Sequence, residues 1–196
     1  MIEKIENPKL YMILLGCRPP GRNTEQHDMF FCIANSMKDT IPEILNFWPE
    51  AKLKIHVDAW RAVLQVDNFD ISIIKKSDDY IPQSAIKQKL FFINLGGYKP
   101  GEFDEFHYKM LVVAGSKEEA IVAAKNTTFY KHTGFKGATS HIDDKYGIDV
   151  DDLYEISEIL STEIKNKYSI VLTEASVIKA DKINLGYFKL EKLLDF

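Results

Sequence analysis

The chain has 196 residues, 45% hydrophobic and 28% charged, enough apolar content to bury a core and too much for a disordered chain. A net charge of -4 and a pI near 5.8 argue against general nucleic-acid binding, which needs a basic surface. No run approaches the roughly 18 apolar residues of a membrane span, and Met1 to Lys9 mixes charges of both signs, so neither a span nor a secretory leader is expected.

In chain order, Lys9 to Gly16 is apolar almost without alternation and reads as a strand covered on both faces. Gly16 to Gly21 is a turn segment built on Pro19, Pro20 and Gly21. A second strand begins near His27 and runs through Phe30 to Ile33, so the two form a hairpin. Pro42 breaks a helix begun at Ser36, while Thr40-Ile41-Pro42-Glu43 reads as a capping box opening a helix that reaches Trp48. Leu53, Ile55 and Val57 then alternate with Lys54, His56 and Asp58 in a third strand, and Phe69 to Ile74 supplies a fourth.

The second half repeats this order. Lys89-Leu90-Phe91-Phe92-Ile93-Asn94-Leu95-Gly96 matches the first strand at an offset of 80 (89 − 9), and positions 9 to 41 share twelve identities with positions 89 to 121. Pro20-Gly21 matches Pro100-Gly101, Glu25 matches Glu105, and His27 matches His107. Ser116 to Glu119 is a capping box for a helix with Ala120, Ile121 and Ala124 on one face. Beyond it the register slips: His56-Val57-Asp58 meets His141-Ile142-Asp143 at 85, and Val66-Asp67 meets Val150-Asp151 at 84. The fold class expected is α+β: a tandem duplication of a ββαββ-like unit with antiparallel sheets and one helix per repeat, the repeats related by a pseudo-twofold axis. Residues 1–84 hold the first repeat and a polar linker, 85–160 the second, and 161–196 a β-rich tail packed on the repeats. In that tail, Tyr168 to Thr173 and Ile183 to Leu190 read as a C-terminal hairpin.

Leu-Gly-x-x-x-Pro-Gly followed by Glu-x-His, at Leu15 to His27 and Leu95 to His107, resembles a small bacterial family known as domain of unknown function 1543. Phe47-Trp48-Pro49, Phe129 to Gly137 and His141 to Asp144 extend that resemblance over nearly all the chain except the tail. It implies two domain copies, and brings no activity, cofactor or catalytic residue with it.

The candidate site residues follow from the repeat. Glu25 with His27, Glu105 with His107, His56 with Asp58, and His141 with Asp143 are each two apart, about 6.6 Å along a strand and on one face. A carboxylate beside an imidazole fixes its tautomer for acid-base work or supplies two ligands of a metal site. The plain alternative is that these side chains satisfy turn backbone groups. Arg18 and Arg22 place two of the chain's three arginines in one loop, suited to a carboxylate or phosphate. The expected function is therefore a small-molecule binding module taking an anionic ligand in a cleft between the repeats. The alternatives are a metal-dependent or acid-base enzyme, and a structural or interaction domain; no particular metal or cofactor is assigned. Thr133 to Ser140 lacks Walker-loop spacing and reads as a structural turn. Asp143-Asp144 and Asp149 to Asp152 lack a calcium loop's Gly and Glu and read as solvated turns. Cys17 has no nearby His, and Cys17 and Cys32 make neither a disulfide framework nor a zinc set, which fits a reducing cytoplasm.

Overall fold

Strand pairing divides the chain into two antiparallel units. A computed structural model describes residues 7–51, 54–76, 87–98, 101–126 and 148–195. Unit 1 comprises Met1–Gln83 with Leu160–Phe196, and unit 2 is Ser84–Ile159.

In unit 1, β1 (Lys9–Cys17) pairs with β2 (Gln26–Ala34) on one side and β3 (His56–Val63) on the other. Between β2 and β3 lies α1 (Ile41–Phe47), with Pro42 in its first turn where no donor is lost. Thr40 does not cap it: its hydroxyl donates to the Met37 carbonyl at 2.6 Å, because a 3-10 turn over Lys38–Thr40 already leads into the helix. Two short strands follow, β4 (Gln65–Val66) and β5 (Phe69–Lys75).

Unit 2 opens with β6 (Lys89–Tyr98) and β7 (Glu105–Ala114), whose register is that of β1 and β2 moved by 80 residues. Lys9 faces Ala34 as Lys89 faces Ala114, and Gly16 faces His27 as Gly96 faces His107. The turn glycines Gly21 and Gly101 both have left-handed φ, +78° and +81°. Helix α2 (Lys117–Lys125) starts as its capping box predicts, Ser116 Oγ accepting from the Glu119 amide at 3.2 Å. Ala120 and Ala124 bury its inner face with Phe91, Ile93 and Leu95 of β6. Among the described residues the unit closes with β8 (Ile148–Glu155) on β6 and the short helix α3 (Ile156–Ile159), in the order β6-β7-α2-β8-α3.

The first strands are less symmetrically covered than their composition suggests. Tyr11, Ile13, Leu15 and Cys17 of β1 are buried on one face, whereas Met12 and Leu14 on the other are only half-buried. Gly16 belongs to this second face, and so do the residues opposite it on both neighbouring strands.

The tail is not a hairpin. After α4 (Thr162–Lys167), β9 (Tyr168–Glu174) adds to β5 in a sheet ordered β4-β5-β9, while β10 (Asn184–Lys189) adds to β3 in a sheet ordered β10-β3-β1-β2. Two open edges in unit 1 each take one tail strand, so β9 and β10 have no reason to pair with each other. Asp181, between them, anchors the connection by accepting from the Leu64 amide at 3.2 Å.

Candidate metal centre

Gly16 sits in the ladder directly between His27 of β2 and His56 of β3. One step along, the ladder carries a bulge: Leu15 faces Val57 and Leu14 faces Ala59, which leaves Asp58 without a partner of its own. A bulge re-aims a side chain without ending the sheet, and here it brings the Asp58 carboxylate against both imidazoles. Glu25 reaches the same place from the residue before β2. His27 Nε2 lies 3.7 Å from Glu25 Oε2 and 3.2 Å from Asp58 Oδ2. His56 Nε2 lies 3.2 Å from Glu25 Oε1 and 3.3 Å from Asp58 Oδ1. The four groups form a closed ring of contacts.

The two histidines differ in setting. The His27 side chain is 44% exposed and the His56 side chain 4%. His56 is covered by Tyr187 of β10, the ring centroids 4.2 Å apart. Close as the carboxylates are, His56 Nε2 and Asp58 Oδ2 are buried and make no hydrogen bond. Only the lack of a Cβ at Gly16 leaves room for this packing, since one would stand 2.4 Å from His56 Nε2 and 2.6 Å from Asp58 Oδ2.

Among the described residues, unit 2 repeats the geometry with one imidazole. His107 faces Gly96, with Nε2 3.8 Å from Glu105 Oε2 and 3.2 Å from Asp151 Oδ2. Donor atoms of Glu105, His107 and Asp151 all lie within 4.8 Å of one another, an arrangement able to hold a cation. Asp151 is itself a bulge residue, skipped between Leu95–Val150 and Asn94–Asp152.

The ladder thus corrects the sequence alignment. Asp58 matches Asp151 at an offset of 93 (151 − 58) and Val57 matches Val150, so Val150-Asp151 is the counterpart of Val57-Asp58, not of Val66-Asp67. It likewise replaces the match of His56 and Asp58 with His141 and Asp143. Asp149 to Asp152 belong to a strand and are not solvated turns. Identity matching rewarded a second His-x-Asp, whereas pairing with the central strand decides which residues share a face. His141, Asp143 and the loop Thr133 to Ser140 lie outside the described residues.

Of the remaining candidates, Arg18 is exposed. Arg22, also exposed, shares an open recess with His27, Asp28, Phe47, Trp48 and Glu50. Trp48 is a half-buried wall of that recess. Cys17 and Cys32 are fully buried; burial raises both thiols, that of Cys32 to about 12, which disfavours the nucleophilic thiolate. Sequence reasoning missed Asp151, Tyr187 and the role of Gly16 and Gly96. The retained glycine at both strand ends was the available sign of a close approach.

Comparison with known proteins finds a family model that matches part of the chain and a solved structure of similar fold. Residues 22–73 match the model of a Domain of Unknown Function, DUF1543. The DUF1543 match spans Glu25, His27, His56 and Asp58, and supports the family resemblance read from the motifs. No curated protein matches the chain. The crystal structure of a protein Il1583 from Idiomarina loihiensis aligns with a TM-score of 0.62 and 22% identity, covering 94% of this chain and 98% of that one. That likeness shows the mixed α and β architecture with antiparallel sheets. No helix among the described residues is long and apolar enough to cross a membrane.

Proposed function

We propose that unit 1 is a divalent-metal-binding module in which His27, His56, Glu25 and Asp58 hold one zinc-class ion. The observation that carries this reading is His56 Nε2: buried, without a hydrogen bond, yet 3.2 and 3.3 Å from two carboxylate oxygens. A buried polar atom left unsatisfied costs about 1–3 kcal/mol, and a cation held between it and the two carboxylates would satisfy it. Each imidazole Nε2 lies 3.2 to 3.7 Å from a different oxygen of each carboxylate, so the four side chains would close by small rotations onto an ion with bonds of about 2.0–2.2 Å. Two imidazoles and two carboxylates form a mixed donor set suited to zinc-class ions. A small anionic ligand, as the arginine pair suggests, would find Arg22 in a recess that His27 also lines, together with the carboxylates of Asp28 and Glu50. The matched registers of β1–β2 and β6–β7 support reading the units as tandem copies of one building block.

The test is zinc titration of the metal-stripped full chain, with cobalt as a spectroscopic substitute. Tight binding of zinc in unit 1 is expected, with an intense tetrahedral cobalt band. His27→Ala and Asp58→Asn remove partly exposed side chains and are expected to weaken binding by more than the roughly 10–100-fold due to an outer-shell partner. No zinc binding by the parent chain, or binding unchanged in both variants, overturns the reading.

A further inference from the structure

The second cluster departs from the first in a consistent chemical direction. The ladder position of His56 is taken by Asp149, opposite Gly96, so that position supplies no imidazole. Leu14 facing Ala59 in unit 1 becomes Asn94 facing Asp152 in unit 2, two residues from the glycine and therefore on the same face. Asn94 Nδ2 donates to Asp152 Oδ2 at 3.2 Å, and Asn94 Oδ1 is buried with no hydrogen-bond partner. An apolar pair has been exchanged for oxygen donors beside a site that kept its Glu, its first His and its bulged Asp.

Cover changes as well. β3 is flanked by β10, whose Tyr187 shields His56, whereas among the described residues β8 is an edge strand in the order β7-β6-β8. The side chains of Glu105, His107 and Asp151 are 38%, 35% and 29% exposed, and none is enclosed as His56 is. As at Gly16, the missing Cβ matters: at Gly96 it would stand 2.2 Å from Asp151 Oδ2. Hard divalent ions favour this combination, since manganese and magnesium take carboxylate oxygens and retain several waters, while a single imidazole among the described donors weakens the hold on zinc.

We infer that Glu105, His107 and Asp151 form a second cation site, selective for oxygen-preferring divalent ions of the manganese and magnesium type and independent of the zinc-class site in unit 1. The full chain, saturated with one equivalent of zinc, is titrated with manganese and followed by the loss of the free-ion paramagnetic resonance signal. One manganese is expected to bind and magnesium to compete for it. His107→Ala and Asp151→Asn are each expected to lower manganese affinity at least tenfold while zinc binding, read in the same samples, stays at its parent value and reports an intact fold. His27→Ala is expected to do the reverse. Absence of manganese binding to the parent chain, or binding unaltered by both unit 2 variants, overturns this site. Loss of zinc binding alone would overturn only the reading of unit 1.

Discussion

At Gly16 a single methyl group decides whether the unit 1 cluster can assemble. An alanine Cβ there would press on the buried His56 ring and on Asp58, and β10 stands behind His56 with Tyr187 over its face, so the ring has little room to retreat. Gly16→Ala is expected to destabilise unit 1 by about 1–3 kcal/mol, the usual penalty of overpacking, and to abolish zinc binding. Gly21 supplies the control: a Cβ there meets nothing within 4 Å, and its φ of +78° carries only local strain, about 1–2 kcal/mol. Chemical denaturation with and without zinc separates the two. Gly21→Ala should lose stability and keep the metal, and a Gly16→Ala chain that binds zinc normally refutes the steric account.

At the scale of elements, the tail strand β10 connects fold to site, because it is the only described strand on the outer edge of β3 and it brings Tyr187 to His56. Tyr187 is 65% exposed, so trimming it removes little core; Tyr187→Ala is expected to change stability by less than about 0.5 kcal/mol. Zinc affinity is expected to fall roughly 10-fold or more, as for other groups that orient a ligand. Tyr187→Phe should restore it, since the ring and not the hydroxyl covers the imidazole. Unchanged affinity in Tyr187→Ala would show that β10 only completes the sheet. The sequence makes β10 legible as a strand, yet hides its partner, because nothing in Ile183 to Leu190 says which open edge it takes. The same limit applies to the bulges. Alternation places His56 and Asp58 on one face, but the skipped position that turns Asp58 and Asp151 inward is a property of the ladder. Glu25, His27, Glu105 and His107 were legible because a strand pair joined by a turn of constant length preserves its register at an offset of 80. The third strand follows a connection of different length in each unit, and there the offset became 93.

Across the whole molecule, two carboxyl groups make the units respond to acid in opposite senses. In unit 2, burial pushes Glu155 up, but the Lys89 ammonium at 2.7 Å and the Ser157 hydroxyl outweigh it and hold the carboxyl below its usual range. In unit 1, burial raises Asp181 despite its bond from the Leu64 amide and the Arg61 guanidinium 3.8 Å away. A depressed carboxyl contributes stability that is complete above its unfolded value of 4.5 and is lost as pH falls through the lower folded value. For a raised one, the folded state holds the proton more tightly. Its penalty is therefore complete above the folded value and vanishes below the unfolded 3.8. Measured against Glu155→Gln, the stability advantage of the parent chain is expected to shrink as pH is lowered from 7 toward 3. Measured against Asp181→Asn, the parent is expected to gain over the same interval. Denaturant unfolding of the metal-free chain at several pH values reads both differences, and two differences that move in the same direction would show that these groups do not set the acid response of their units. Metal-free protein is required because the carboxylates of both clusters would otherwise titrate against bound ions and mask the pair.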